Sequence, residues 1–183
     1  ITMYQVENAG DVIKNKRQTL RSRASWLALS QTVWGLGFTS FFTDISSEMV
    51  ATTLPVYLAL VLRLAPFQLG LIDGLYQGTA ILVKIASGVW ADRTGDGKRV
   101  AVAGYALSTL SRLGLLLSGA ALPGLTAATV IDRIGKGIRT SPRDAMITAS
   151  TPPEKLGTAF GAHRAMDTAG AMIGPLLASV LLW

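Results

Sequence analysis

Apolar residues along this chain fall into five long runs, interrupted by short polar or proline-containing breaks. The runs cover approximately residues 30–62, 67–91, 100–122, 125–147 and 154–183. A helix needs roughly 20 apolar residues to cross the hydrocarbon core of a bilayer, and each run supplies that length. The pattern predicts an all-α protein, a polytopic membrane helix bundle with five transmembrane helices. Residues 30–183 then form one transmembrane domain and residues 1–29 a polar, basic tail. The breaks at Arg63–Pro66 and Pro123–Gly124 are short, so the helices they join are antiparallel neighbours. Thr151-Pro-Pro-Glu154 is a favourable helix start, because proline is tolerated in a first turn where its missing N–H has no partner to lose. Within the tail, Val12–Leu27 reads either as an amphipathic helix lying on the membrane surface or as a solvated segment.

Composition agrees with that picture. Half of the 183 residues are hydrophobic, mean hydropathy is +0.42, and only 15% are charged, against roughly 25% in soluble domains. The formal net charge of +6 is unevenly placed. Lys14, Lys16, Arg17, Arg21 and Arg23 crowd the tail; Arg93, Lys98 and Arg99 share the second break; Arg139, Arg143, Lys155 and Arg164 flank the fourth. With the N-terminus inside, all of these lie on the cytoplasmic side and Arg63 alone lies outside, which is the positive-inside arrangement. A basic balance distributed this way argues against nucleic acid as a partner. Cysteine is absent, so there is neither a disulfide framework nor thiolate chemistry. His163 is the single histidine, and no His/Asp/Glu set has catalytic metal spacing. With no nucleophile–base pair or phosphate loop either, the expectation is no metal, no cofactor and no enzyme.

The polar residues inside the apolar runs carry the chemistry. An ionised side chain inside a membrane costs roughly 2.5–3.5 kcal/mol on insertion scales and must face protein or water. Asp132, Lys136, Arg139 and Arg143 recur at steps of four, three and four, which places them on one helix face. Asp44 and Glu48 stand one turn apart in the first run, with Thr43, Ser46 and Ser47 around them. Left unpaired, either carboxylate is a candidate proton carrier; the plainer reading pairs them with Arg112, Arg133 or Lys84. For Arg133 the plainer reading is a pair with Asp132 or Asp73. Gly70, Gly74 and Gly78 recur every fourth residue, a groove that lets a partner helix approach closely. In the fifth run, Gly161, Gly170, Gly174 and Pro175 combine close packing with a removed backbone hydrogen bond, the makings of a hinge or a seal.

Three of these segments resemble motifs of the major facilitator superfamily. Gly88-Val-Trp-Ala-Asp92-Arg93-Thr-Gly95-Asp-Gly97-Lys98-Arg99 resembles the signature between that family's second and third helices, with one residue more before the final basic pair. Arg133 followed by Gly137 resembles the fourth-helix signature. The Gly161, Gly170, Gly174-Pro175 spacing resembles the fifth-helix signature of its drug/proton antiporters, departing where Ala178-Ser179 replaces a glycine pair. The run Phe42-Thr-Asp44-Ile-Ser-Ser-Glu48-Met49 is similar to first helices of a bacterial branch.

The resemblance implies an N-terminal major-facilitator domain truncated after its fifth helix, and the apolar ending Leu181-Leu182-Trp183 reads as a cut chain. It implies a secondary transporter of a small solute in a bacterial inner membrane, working by alternating access and proton-coupled. Asp44, Glu48, Arg112 and Arg133 would serve substrate binding or coupling; Gly88, Asp92, Arg93, Lys98 and Arg99 would form a cytoplasmic gate. The implied partners are the lipid bilayer, a small-molecule substrate and a C-terminal helical half, in the same polypeptide or a second chain, against which the Gly70–Gly78 groove would pack. The competing expectation is an accessory subunit that uses the same grooves for packing and transports nothing.

Overall fold

A computed structural model describes residues 29–119 and 121–183; the basic tail and its Val12–Leu27 stretch lie outside the described residues. Five long helices follow one another: α1 (Gln31–Leu60), α2 (Pro66–Thr94), α3 (Gly97–Ser118), α4 (Leu122–Ala149) and α5 (Leu156–Leu182), the last entered through a 3-10 turn at Pro153–Lys155. At 1.5 Å per residue a 30-residue helix such as α1 is about 45 Å long, enough to cross a bilayer with tilt. By length and composition alone α2, α3 and α5 are membrane spans; α1 and α4 have the length but carry more of the hydroxyls and charges.

The helix ends follow local chemistry. The Ser30 hydroxyl accepts from the Val33 amide and caps α1 (3.3 Å), and it also donates to Ser150 at the end of α4. Pro66 occupies the first turn of α2, where the Gln68 side chain reaches back to the Ala65 amide. Between α2 and α3 the chain turns on two residues. Gly95 adopts the left-handed conformation (φ 65°) that terminates α2, and Asp96 caps α3 by accepting from the Arg99 amide at 3.1 Å. The break expected over residues 92–99 is therefore mostly helix, because a left-handed glycine followed at once by an N-cap needs no further linker. Similarly, Pro123 sits in the first turn of α4 instead of in the connection.

The bundle is assembled in a crossed pattern. α1 lies along α5, α2 lies along α4, and α3 covers the other side of α4. The first helix thus packs on the fifth and the fourth on the second, so these neighbours in space are not neighbours in sequence. Close approach comes from small residues. A Cβ placed on Gly104 of α3 would lie 2.8 Å from the Gly135 carbonyl oxygen of α4, and one on Gly135 would lie 2.7 Å from the Gly104 carbonyl oxygen. On the opposite side of α4, a Cβ on Gly137 would lie 2.9 Å from the Ala80 carbonyl oxygen of α2.

Polarity is inverted relative to a water-soluble bundle. The buried stripe of α1 reads Val33, Gly37, Ser40, Asp44, Ser47, and that of α4 contains Asp132, Arg133, Arg139 and Arg143. Large apolar side chains face outward instead, among them Phe67, Leu71, Leu82, Leu116, Leu117 and Leu181. An apolar exterior of this extent suits lipid or another helical domain.

Candidate functional site

The charged face of α4 meets acids and hydroxyls from α1, Arg112 and Tyr105 of α3, and an acid of α5 along the length of the bundle. Nearest the Leu122 end, Asp132 accepts from Arg112 of α3 (3.5 Å), whose guanidinium also donates to the Ser47 hydroxyl (2.6 Å) and the Thr43 carbonyl (3.2 Å) of α1. One turn further, Lys136 lies 3.6 Å from Asp44 and 3.4 Å from Glu48. Arg139 bonds Asp44 at 3.0 Å and stacks 4.7 Å above the Tyr105 ring. Its side chain is only 1% exposed, so this pair is fully inside the protein. Near the Ala149 end, Arg143 donates to Ser40 and Asp144 and lies 3.6 Å from Asp167 of α5. His163, also fully buried, stands 3.7 Å from the same carboxylate.

The expected site residues separate into groups. Asp44, Glu48, Arg112 and Arg133 all occupy the middle of the bundle, but the pairings differ from the expected ones. Asp44 and Glu48 meet Lys136 and Arg139, not Arg112, Arg133 or Lys84. Arg133 pairs with neither Asp132 nor Asp73; its guanidinium lies 3.8 Å above the Tyr76 ring of α2, and its buried Nε has no acceptor among the described residues. Helix periodicity assigns a residue to a face, whereas pairing depends on the axial offset of two crossing helices, which periodicity does not contain.

Tyr76 and Arg133 divide the valley between α1, α2 and α4 in two. Towards the Leu60 end of α1 lies an apolar pocket of about 270 Å³ bounded by Leu54, Pro55, Leu58 and Leu69. On the other side lies a polar cavity of about 390 Å³ that Glu48, Gln77, Lys84, Arg133, Lys136 and Thr140 help to line. Tyr76 contributes to both. Neither Tyr76 nor Lys136 was among the expected site residues. Lys136 stood on the charged face of α4 and was legible there; Tyr76, one of three aromatics on α2, had no signal in the sequence that set it apart.

The remaining candidates lie at the helix ends or on packing faces. Asp92, Arg93, Lys98 and Arg99 are exposed around the Gly95 turn; Arg99 pairs with Asp96 at 3.0 Å, and Asp92 has no ion pair among the described residues. Gly88 faces Ser141 of α4, 3.4 Å from where its Cβ would be. Gly170 and Gly174 lie against the α1 backbone: added Cβ atoms would stand 2.6 Å from the carbonyl oxygens of Phe41 and Ile45. Pro175 follows within α5. Gly161, Gly70, Gly74 and Gly78 have open space where a Cβ would go.

An apolar exterior, long helices packed in a crossed pattern and charge held in the interior define a polytopic membrane protein. Residues 36–183 match the Major Facilitator Superfamily, and the chain belongs to that family. It is 40% identical to an uncharacterized MFS-type transporter of Methanocaldococcus jannaschii over 84% of this chain and 38% of that one. It is 28% identical to the riboflavin transporter RibZ of Clostridioides difficile over 67% of this chain and 26% of RibZ. With an uncharacterized protein of Mycobacterium tuberculosis it shares 31% identity over 62% of this chain and 27% of that protein. The chain thus spans less than two fifths of the length of these relatives.

Proposed function

We propose that this chain supplies the N-terminal, site-bearing half of a secondary transporter that moves a small solute by alternating access, coupled to protons. The observation that carries the reading is the cavity of about 390 Å³ between α1, α2 and α4, at mid-height and lined by charge. Its volume falls in the range of small-molecule sites, roughly 300–1,000 Å³. Glu48 and Asp44 share Lys136, so protonation of either carboxylate releases the lysine to the other. A proton taken up there changes the charge facing the cavity, which is what coupling requires. The open Gly70–Gly74–Gly78 face of α2 fits a helix of a second half, and the exposed Asp92, Arg93, Lys98 and Arg99 are placed to latch the same half at one end. The distribution of basic residues supports an N-terminus on the cytoplasmic side of the cytoplasmic membrane.

The test is solute movement in proteoliposomes carrying the protein in its full natural length, with and without an imposed pH gradient. Arg133→Ala is expected to abolish gradient-driven transport while membrane insertion and detergent-solubilised mass stay unchanged. Wild-type transport by that variant removes Arg133 from the mechanism.

A further inference from the structure

The charges around the polar cavity do not cancel. Asp44 is occupied by Arg139 at 3.0 Å and Lys136 at 3.6 Å, and Glu48 by Lys136 at 3.4 Å. Two carboxylates therefore balance two cations. Asp132 is taken by Arg112 on the far side of α4. Two cavity-lining cations are left over, Arg133 and Lys84, and among the described residues neither has a carboxylate within ion-pair distance. Of the two acids on α2, Asp73 borders the apolar pocket on the other side of the Tyr76 ring and Asp92 lies at the exposed end of the helix.

Arg133 is built as a receptor, not as a strut. It is 5% exposed, its Nε is buried without an acceptor, and one face of the guanidinium is held against Tyr76. A buried guanidinium with unfilled donors is costly unless something accepts from it. Its planar fork matches the two oxygens of a carboxylate or phosphate, and the ring fixes its orientation in advance. Gln77 adds a neutral amide donor on the same cavity.

We propose that the substrate of this site is a small organic anion, bearing a carboxylate or phosphate group that Arg133 receives and whose charge Lys84 also balances. This rests on the transporter reading above and adds to it the charge of the solute.

The test is binding to the purified full-length protein of four probes that share one ring and differ in charge: benzoate, phenyl phosphate, benzamide and benzylammonium. The two anions are expected to bind, and benzamide and benzylammonium to bind about tenfold more weakly or not at all. Arg133→Gln is expected to weaken the anions by about tenfold to a hundredfold, the effect of losing a charge-assisted pair of hydrogen bonds. Lys84→Gln changes an exposed position, keeps the fold, and is expected to weaken both anions together; it carries the test if the Arg133 variant misfolds. Anions that bind no better than benzamide, or equally to wild type and both variants, overturn the proposal, as they would if an acid elsewhere in the polypeptide already occupied Arg133. Nanodiscs of phosphatidylcholine with and without phosphatidylglycerol separate a soluble anion from a lipid headgroup. Equal probe binding in both supports a substrate; loss of binding in the anionic discs assigns the site to lipid and overturns it. Transport of benzylammonium without anion binding would overturn the charge assignment and leave the transporter reading intact. Anion binding without transport of any probe would do the reverse.

Discussion

Asp44→Ala is expected to be a severe change, and its size follows from what surrounds the carboxylate. Among the described residues Arg139 has one hydrogen-bonding partner, the Asp44 carboxylate at 3.0 Å, while its Nε and Nη1 are buried with none. Its side chain is 1% exposed, so it cannot turn to water when the carboxylate is removed. Stripping one member from a buried pair costs about 3–5 kcal/mol, because a desolvated charge is left alone. Lys136 adds little to this figure. It is 30% exposed and keeps Glu48 at 3.4 Å, so it has another carboxylate at hand. The Tyr105 ring, 4.7 Å from the Arg139 guanidinium, returns about 0.5–2 kcal/mol of cation–π attraction but was already present before the change. The expectation is therefore a loss of about 3–5 kcal/mol for Asp44→Ala. Removing both charges in Asp44→Leu/Arg139→Met should cost much less than the sum of the single losses, since apolar replacements of a buried pair are often near neutral. Reversible denaturation in mixed micelles, followed by helical circular dichroism, measures all three. Arg99→Ala is the reference: its pair with Asp96 is 89% exposed on the arginine side, and exposed pairs contribute about 0–1 kcal/mol. If Asp44→Ala costs no more than Arg99→Ala, or if the double variant loses the sum of its parts, the account of a desolvated pair is wrong.

Three further outcomes follow from particular contacts. Gly170→Leu and Gly174→Leu should each destabilise by about 1–3 kcal/mol or separate α1 from α5, because a Cβ already lies 2.6 Å from an α1 carbonyl oxygen; Gly161→Leu, in open space, should be neutral, and thermal unfolding in detergent compares them. Asp96→Ala should cost about 0.5–2 kcal/mol by removing the side-chain cap of α3, with Asp96→Asn or Asp96→Ser restoring most of it in the same assay. Tyr76→Phe should transport as the wild type does, since the ring and not the hydroxyl meets Arg133, whereas Tyr76→Ala should raise the KM for the solute by freeing the guanidinium.

How much of this was legible in the sequence depends on whether a feature is set by one helix or by two. The five helices were, because a run of apolar residues of bilayer length is a property of a single segment, and their observed ends lie within a few residues of the expected ones. The charged stripe of α4 was too, since Asp132, Lys136, Arg139 and Arg143 repeat at the period of the helix that carries them. Everything that required two helices to be set against each other was not. The back-to-back contact of Gly104 with Gly135 depends on where α3 crosses α4, and neither glycine belongs to a spacing that marks it. The same limit governs the site. Arg133 and Asp132 are sequence neighbours, so pairing them was the simplest reading; yet adjacent residues on a helix point about 100° apart, which sends Asp132 to Arg112 on α3 and Arg133 to Tyr76 on α2. That divergence is the reason a cation is left facing the cavity. The two carboxylates of α1 go to Lys136 and Arg139 because those residues follow Asp132 at one and two helical turns on the face that crosses α1. The glycines at 135 and 137 then fix the depth at which the neighbouring helices sit, one turned to α3 and the other to α2. Small residues on α4 therefore set how far its charged side chains must reach, so exchanging Gly137 for alanine should alter the cavity through backbone separation although no charge has changed.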